Sequence, residues 1–159
     1  MGKSSLVRRF VHEVFDERYT TTLGVKIETR QVTLDSGEIK LVIWDMEGAD
    51  GNDDEASLVT SRMQAYLRGV SGVLLVADGT RTVTVDTARR LHRWLQQERP
   101  GVPVMMLLNK FDLKDDWQLS EEQLQELSAS LICHTTSALS GENVEYTFAQ
   151  LAQILSDKN

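Results

Sequence analysis

Three stretches of this chain, 41–44, 72–77 and 102–108, are apolar with little or no interruption. A strand with one wet face alternates apolar and polar residues, so unbroken runs bounded by turn residues read as strands covered on both faces. Between and around them lie segments with the period of a helix. Residues 3–15 carry Leu6, Phe10 and Val14 at spacings of four, with Arg8 and Arg9 on another face. Residues 84–98 carry Ala88, Leu91, Trp94 and Leu95 on one side and stop before Pro100, and the final segment repeats the pattern at Val144, Phe148, Leu151 and Leu155. Strands alternating with helices imply an α/β fold with a mostly parallel sheet. Residues 24–34 and 38–45 read as a hairpin joined at Ser36-Gly37, and a polar loop at 16–22 precedes it. A Gly- and acid-rich loop at 47–56, expected to be mobile, leads to a helix ending near Arg68-Gly69. Ser120 and Gln123 resemble a capping box, and a last strand lies at 131–134.

A length of 159 residues suits one domain, with neither internal repeats nor interdomain linkers. The net charge of -7 argues against a nucleic-acid partner, which would want a basic face, and against holding an anionic membrane by charge alone. Cys133, the single cysteine, excludes a disulfide framework and a cysteine-based zinc site; within its apolar surroundings it reads as an inert core residue in a reducing, cytoplasmic setting. Met1-Gly2 looks like a myristoylation start, but Leu6 stands where Ser or Thr is required, and the C-terminus has no cysteine to prenylate. The expectation is therefore a soluble protein with no lipid anchor in this chain.

In a parallel sheet, ligands bind beyond the carboxyl ends of the strands. Asp45, Asp78, Asn109 and Ser137 all fall where a strand gives out, so four short segments converge on one rim. Gly2-Lys3-Ser4 opens a helix, where N–H groups and the dipole favour anions. There Lys3 can reach β- and γ-phosphates and the Ser4 hydroxyl can bind magnesium. An ordinary amphipathic helix beginning Gly-Lys-Ser is the plainer reading of those three residues alone. Asp45-Met46-Glu47-Gly48 places a carboxylate that can hold magnesium through water beside a Gly48 N–H that can meet a γ-phosphate; a simple strand-end turn is the alternative. Asn109-Lys110-Phe111-Asp112 is more specific than a polar turn. Asn109 can tie loops together, the Lys110 stem can lie along a purine, and Asp112 can accept from guanine N1–H and the exocyclic amine, donors that adenine lacks. Ser137-Ala138-Leu139 can present a backbone N–H to guanine O6.

Together these motifs resemble a Ras-superfamily small GTPase, nearest the Rab-like branch, over essentially the whole chain. The Rab-like character lies in Tyr19-Thr20-Thr21-Thr22-Leu23-Gly24-Val25, Trp44-Asp45, Tyr66-Leu67-Arg68-Gly69 and Thr136-Ser137-Ala138-Leu139-Ser140-Gly141-Glu142-Asn143-Val144. The resemblance implies a three-layer P-loop NTPase domain over residues 1–159, a GTP/GDP ligand and a Mg2+ cofactor. It implies Gly2, Lys3, Ser4, Ser5, Thr22, Gly48, Asn109, Lys110, Asp112, Ser137, Ala138 and Leu139 at the nucleotide. Ser4 and Thr22, with Asp45 through water, would hold the metal, and Lys3 and Thr22 would serve the reaction. Thr22 becomes the residue that senses the γ-phosphate, and the switch segments meet protein effectors and regulators.

Two departures bear on activity. The complete phosphate loop, Gly-x-x-x-x-Gly-Lys-Ser/Thr, follows a central first strand in this family, whereas this chain starts one residue before the last Gly. That implies a domain truncated at its N-terminus, or a sheet closed by rearrangement or by a strand from another chain. Ala49 also stands where the family has a water-orienting Gln, in a longer loop bearing Asp50, Asp53, Asp54 and Glu55. Slow or partner-assisted hydrolysis follows, with Arg18 as a conceivable internal arginine finger. The alternative is a pseudo-GTPase binding module with little or no hydrolysis; a metabolic kinase is more distant, because it leaves residues 109–112 unexplained.

Overall fold

The computed structural model describes residues 1–18, 21–48 and 58–159. Helix α1 (Lys3–His12) leads to strands β1 (Val25–Leu34) and β2 (Gly37–Met46), then α2 (Ser61–Leu67), β3 (Val73–Asp78), α3 (Thr82–Glu98) and β4 (Val104–Asn109). A 3-10 turn (Phe111–Asp116), α4 (Glu121–Ser130), β5 (Ile132–Thr135) and α5 (Val144–Asp157) complete the chain. The α/β expectation holds. The mobile loop, Ala49 and its acidic neighbours, and Tyr19-Thr20 lie wholly or partly outside the described residues.

The ends of the elements follow local chemistry. Helix α1 stops at His12, short of the expected residue 15, because Glu13 turns left-handed (φ 58°) and its N–H closes on Arg9 O at 3.0 Å. Val14 is accordingly 50% exposed and not part of the buried face. In the hairpin, Leu34 pairs with Gly37, so the turn is Asp35-Ser36, one residue earlier than expected, with Gly37 taking the positive φ of 128°. The capping box at Ser120 and Gln123 is formed from both sides, which fixes the start of α4. Cys133 is half-buried, and burial pushes its thiol up to about 11, as suits an inert core residue.

The expected single sheet is in two pieces. β1 and β2 form an antiparallel ribbon, and β3, β4 and β5 form a parallel sheet in the order β3-β4-β5. Among the described residues no strand pairs with the outer edge of β2 or with the edge of β3 away from β4. The expectation that 41–44 is covered on both faces also fails. Leu41 and Ile43 turn toward the core, while Val42 and Trp44 remain 55% and 43% exposed. Helices α1 and α5 contact the ribbon on one face, and the α2 and α3 layer packs on the other sheet.

Two apolar clusters result. Leu6 and Phe10 of α1, the inward residues of the ribbon and Val144, Phe148 and Ala152 of α5 make one. Residues of α2, β3, α3, β4 and α4 make the other. All six residues of β4 are buried; Leu107 enters the first cluster while Met106 and Leu108 enter the second. Successive side chains of a strand point to opposite faces, so β4 serves both clusters at once.

Candidate functional site

The carboxyl ends of β2, β3 and β4 share a rim with the start of α1 and the segment after β5. Gly2 caps α1 in a left-handed conformation (φ 88°), and a Cβ there would lie 2.3 Å from Asn109 Nδ2, so glycine permits the approach of these two segments. Asn109 fastens both sides of the rim. Its Nδ2 donates to Met1 O at 3.2 Å, and its Oδ1 accepts from Ala138 N–H at 3.2 Å and from the Thr136 hydroxyl at 3.4 Å.

At one end stands an oxygen cluster. Ser4 Oγ donates to Asp45 Oδ2 at 2.5 Å, and Thr22 Oγ1 lies 2.7 Å from Ser4 Oγ. Ser4 has one hydroxyl proton, given to Asp45, so Thr22 is the donor of the second bond. Asp45 is 5% exposed and its Oδ1 has no hydrogen-bond partner among the described residues. A buried carboxylate oxygen left open beside two hydroxyls suits a hard, oxygen-loving cation and borders a cavity of about 270 Å³. Lys3 Nζ sits close to Gly48, where a Cβ would come within 2.9 Å of it. Burial lowers the Lys3 pKa from its ordinary value, and the Asp45 charge acts the other way. A desolvated ammonium of this kind is stabilised by any anion brought against it. Ser5 lies in the first turn of α1, half-buried.

At the other end is the loop after β4. Lys110 takes a left-handed conformation (φ 68°), and Phe111 N–H donates to Thr136 O at 3.0 Å. The Lys110 ammonium pairs with Asp78 Oδ2 at 2.7 Å. For Asp78, burial raises the carboxyl pKa, but the bonds from Lys110 and from the Thr80 hydroxyl and N–H prevail and leave it below its ordinary value. Asp112 is exposed, and its Oδ1 accepts from Ser137 Oγ at 2.6 Å. The Ala138 N–H is engaged by Asn109.

The rim thus gathers Gly2, Lys3, Ser4, Thr22, Asp45 and Gly48 around α1, and Asn109, Lys110, Asp112, Ser137 and Ala138 on the neighbouring loops. Leu139 is exposed and takes part through its carbonyl. Arg18 is not among them; its side chain is 87% exposed and pairs with Asp16 at 3.3 Å, away from the internal-finger role.

Sequence reasoning overlooked two supports. Arg9 donates through Nε to Ala138 O at 2.8 Å and through Nη2 to Leu139 O at 2.5 Å, tying α1 to the segment after β5. Trp117 donates its Nε1–H to Lys110 O at 2.9 Å and meets Phe111 edge-on, with ring centroids 5.4 Å apart. Its ring also lies over Gly79 so closely that a Cβ there would sit 2.1 Å from it. An arginine on a helix face other than the apolar one and a tryptophan in a polar loop carry no local signal of either contact.

A family model described as the Ras family matches residues 1–157. The chain is 36% identical over 157 residues to the Ras-related protein Rab11E of Lotus japonicus, an alignment covering 95% of this chain and 67% of that protein. It is 35% identical to the Ras-related protein YPT3 of Nicotiana plumbaginifolia, covering 99% of this chain and 72% of the relative. With the Ras-related protein Rab-8A of Gallus gallus it shares 33% identity, covering 99% and 74%.

Proposed function

We propose, on the premise that this chain belongs to the Ras family and to its Rab-like branch, that it is a guanine-nucleotide-binding switch acting through residues 1–159 as one domain. The observation that carries the reading is the double fastening by Asn109. It joins the carbonyl beside Gly2-Lys3-Ser4 to the N–H beside Ser137, which supports a helix start that would bind phosphates and a carboxylate, Asp112, that would read the base on one rim. Asp112 would read guanine N1–H and the exocyclic amine, and Lys110 would leave Asp78 to lie along the purine. Lys3, Gly2, Ser5 and Gly48 would meet the phosphates, with Ser137, Ala138 and Leu139 near the base.

Magnesium fits the open Asp45 Oδ1 with the Ser4 and Thr22 hydroxyls. Its contribution when bound is Lewis-acid charge against the phosphate oxygens. Thr22 would bind differently with and without the γ-phosphate, giving effectors two states to distinguish. Hydrolysis of GTP to GDP would depend on Lys3 for charge at the γ-phosphate. It would be slow or partner-assisted, because Ala49 offers no hydrogen-bonding group to the attacking water. A cytoplasmic setting accords with the -7 net charge and with the absence, among the described residues, of a helix long and apolar enough to cross a membrane.

Ala49 also favours a second reading, a binding module that keeps the fold and signals without turnover. Nucleotide content after purification, with fluorescent GDP titration in magnesium, separates them. Retained or rebound guanine nucleotide supports the switch, and an empty protein with no magnesium-dependent binding supports the module. Asp112→Asn should move preference from guanine toward xanthine; unchanged guanine selectivity removes Asp112 from the site.

A further inference from the structure

We infer that Trp117, outside every segment assigned to the nucleotide, is a positioning residue that acts through Lys110. It holds the lysine backbone in the turn from which the stem would lie along a purine, and so lengthens the stay of a bound guanine nucleotide. This role rests on the guanine-nucleotide reading of the rim and deepens it. Lys110 is not a glycine, yet it sits at φ 68° and ψ 37°, a left-handed conformation that crowds an L side chain. Such a residue keeps that shape only where its surroundings over-determine it, and residues of this kind cluster at ligand sites. Here the Lys110 carbonyl accepts twice, from Leu113 N–H at 2.9 Å and from the Trp117 indole N–H at 2.9 Å. The first bond belongs to the 3-10 turn itself. The second is the one side-chain bond to the Lys110 backbone among the described residues.

The indole is seated for this task from several sides. Its face lies on Gly79, where a Cβ would come within 2.1 Å of it. Gly79 is not among the glycines with positive φ, so the ring and not the backbone calls for glycine there. Phe111 meets the ring edge-on, with centroids 5.4 Å apart. The next residue, Gln118, donates its N–H to Gly79 O at 3.0 Å and accepts from Thr82 N–H through Oε1 at 3.1 Å. Trp117 is thereby braced on the end of β3 and the start of α3. It packs against the apolar cluster as well, but covering that cluster needs no N–H aimed at a carbonyl. Gly79 follows Asp78, whose Oδ2 takes the Lys110 ammonium at 2.7 Å. Once the ammonium leaves Asp78 for a purine, the backbone is the anchor that the stem keeps, and Trp117 stiffens that anchor.

The test is the release of N-methylanthraniloyl-GDP from the whole chain in magnesium, chased with unlabelled GDP. Trp117→Phe should speed release by at least about threefold, the scale of one well-placed hydrogen bond. Gly79→Ala, which drives the indole off its seat and leaves Trp117 and Lys110 in the sequence, should do the same. Leu124→Ala trims the same apolar cluster away from the Lys110 turn; it lowers stability and should change release by less than about twofold. Without nucleotide, amide exchange at Leu113, whose N–H shares the Lys110 carbonyl, should quicken by at least about threefold in Trp117→Phe and not in Leu124→Ala. A smaller effect of Trp117→Phe on release, or an equal acceleration in Leu124→Ala, overturns the inference and leaves the guanine-nucleotide reading standing. A parent chain that binds no labelled GDP overturns that reading, and the role of Trp117 with it.

Discussion

Asn109→Ala removes the fastening on which the rim depends, and its cost follows from what it leaves behind. Asn109, Thr136 and Ala138 are 2%, 0% and 4% exposed, so water does not replace the lost partner without local opening. The Ala138 N–H, which donates to Oδ1 at 3.2 Å, becomes a buried donor without an acceptor, a penalty of about 1–3 kcal/mol. The bond to Met1 O, at a half-exposed edge, contributes about 0.5–1 kcal/mol more. The sum is about 1.5–4 kcal/mol, or about 5–12 °C in Tm for a domain of this size. Asn109→Asp keeps an acceptor for Ala138 but sets a carboxylate oxygen against Met1 O at a buried position, and should cost at least as much. Urea unfolding followed by tryptophan fluorescence, without added nucleotide, measures both stabilities. Amide exchange at Ala138 reports the local effect. A stability for Asn109→Ala within about 0.5 kcal/mol of the parent, with unchanged exchange at Ala138, would refute the fastening, since buried donors are not left unpaired so cheaply.

Asp45→Asn should lower magnesium-dependent retention of fluorescent GDP by about 10–100-fold, the scale for groups that hold a metal through a water; retention equal to the parent, with and without chelator, would place the cation elsewhere. Trp117→Phe loses the bond to Lys110 O and part of the indole that lies over Gly79, and should cost at least about 0.5–1.5 kcal/mol in urea unfolding. Gly79→Ala drives a methyl into that ring and should cost about 1–3 kcal/mol, with a non-additive recovery in the Gly79→Ala, Trp117→Ala double variant. Asp78, held below its ordinary carboxyl value in the folded chain, contributes stability fully present above the unfolded value near 3.8; that stability is lost as pH falls through the lower folded value. Lys110→Met removes a lowering partner and leaves burial, so the acid-unfolding midpoint by circular dichroism should rise in pH; superimposable curves would deny the pair that role.

The parts of the fold legible in sequence were those whose environment is uniform along the element. Residues 73–78 and 104–109 are strands because their runs are apolar on both sides, and β4 is buried at each position. Residues 41–44 have the same composition, yet Val42 and Trp44 face outward, since composition does not record which neighbours are present. The capping box is local, three residues apart, and was readable for that reason. Asn109 could be picked out by motif, and its tying of loops was anticipated. The left-handed turn at Lys110, the ion pair with Asp78 and the Arg9 bridge join residues far apart in the chain, and no pattern near any of them announces the partner.

Strand β4 is flanked by a hydrogen-bonded neighbour on each side, and its side chains serve both apolar clusters. Opening it requires both faces of the molecule to loosen together, so its amides belong to the slowest class of exchange, near the limit of complete unfolding. Asn109 is its last residue, and the loop carrying Asp112 departs from that rigid post. Thr22 and Gly48 instead flank the separate β1-β2 ribbon. The rim is thus held unequally: Asp112 departs from the strand with a neighbour on each side, and Thr22 and Gly48 from a ribbon of two strands, so amide exchange should be slower on the Asp112 side.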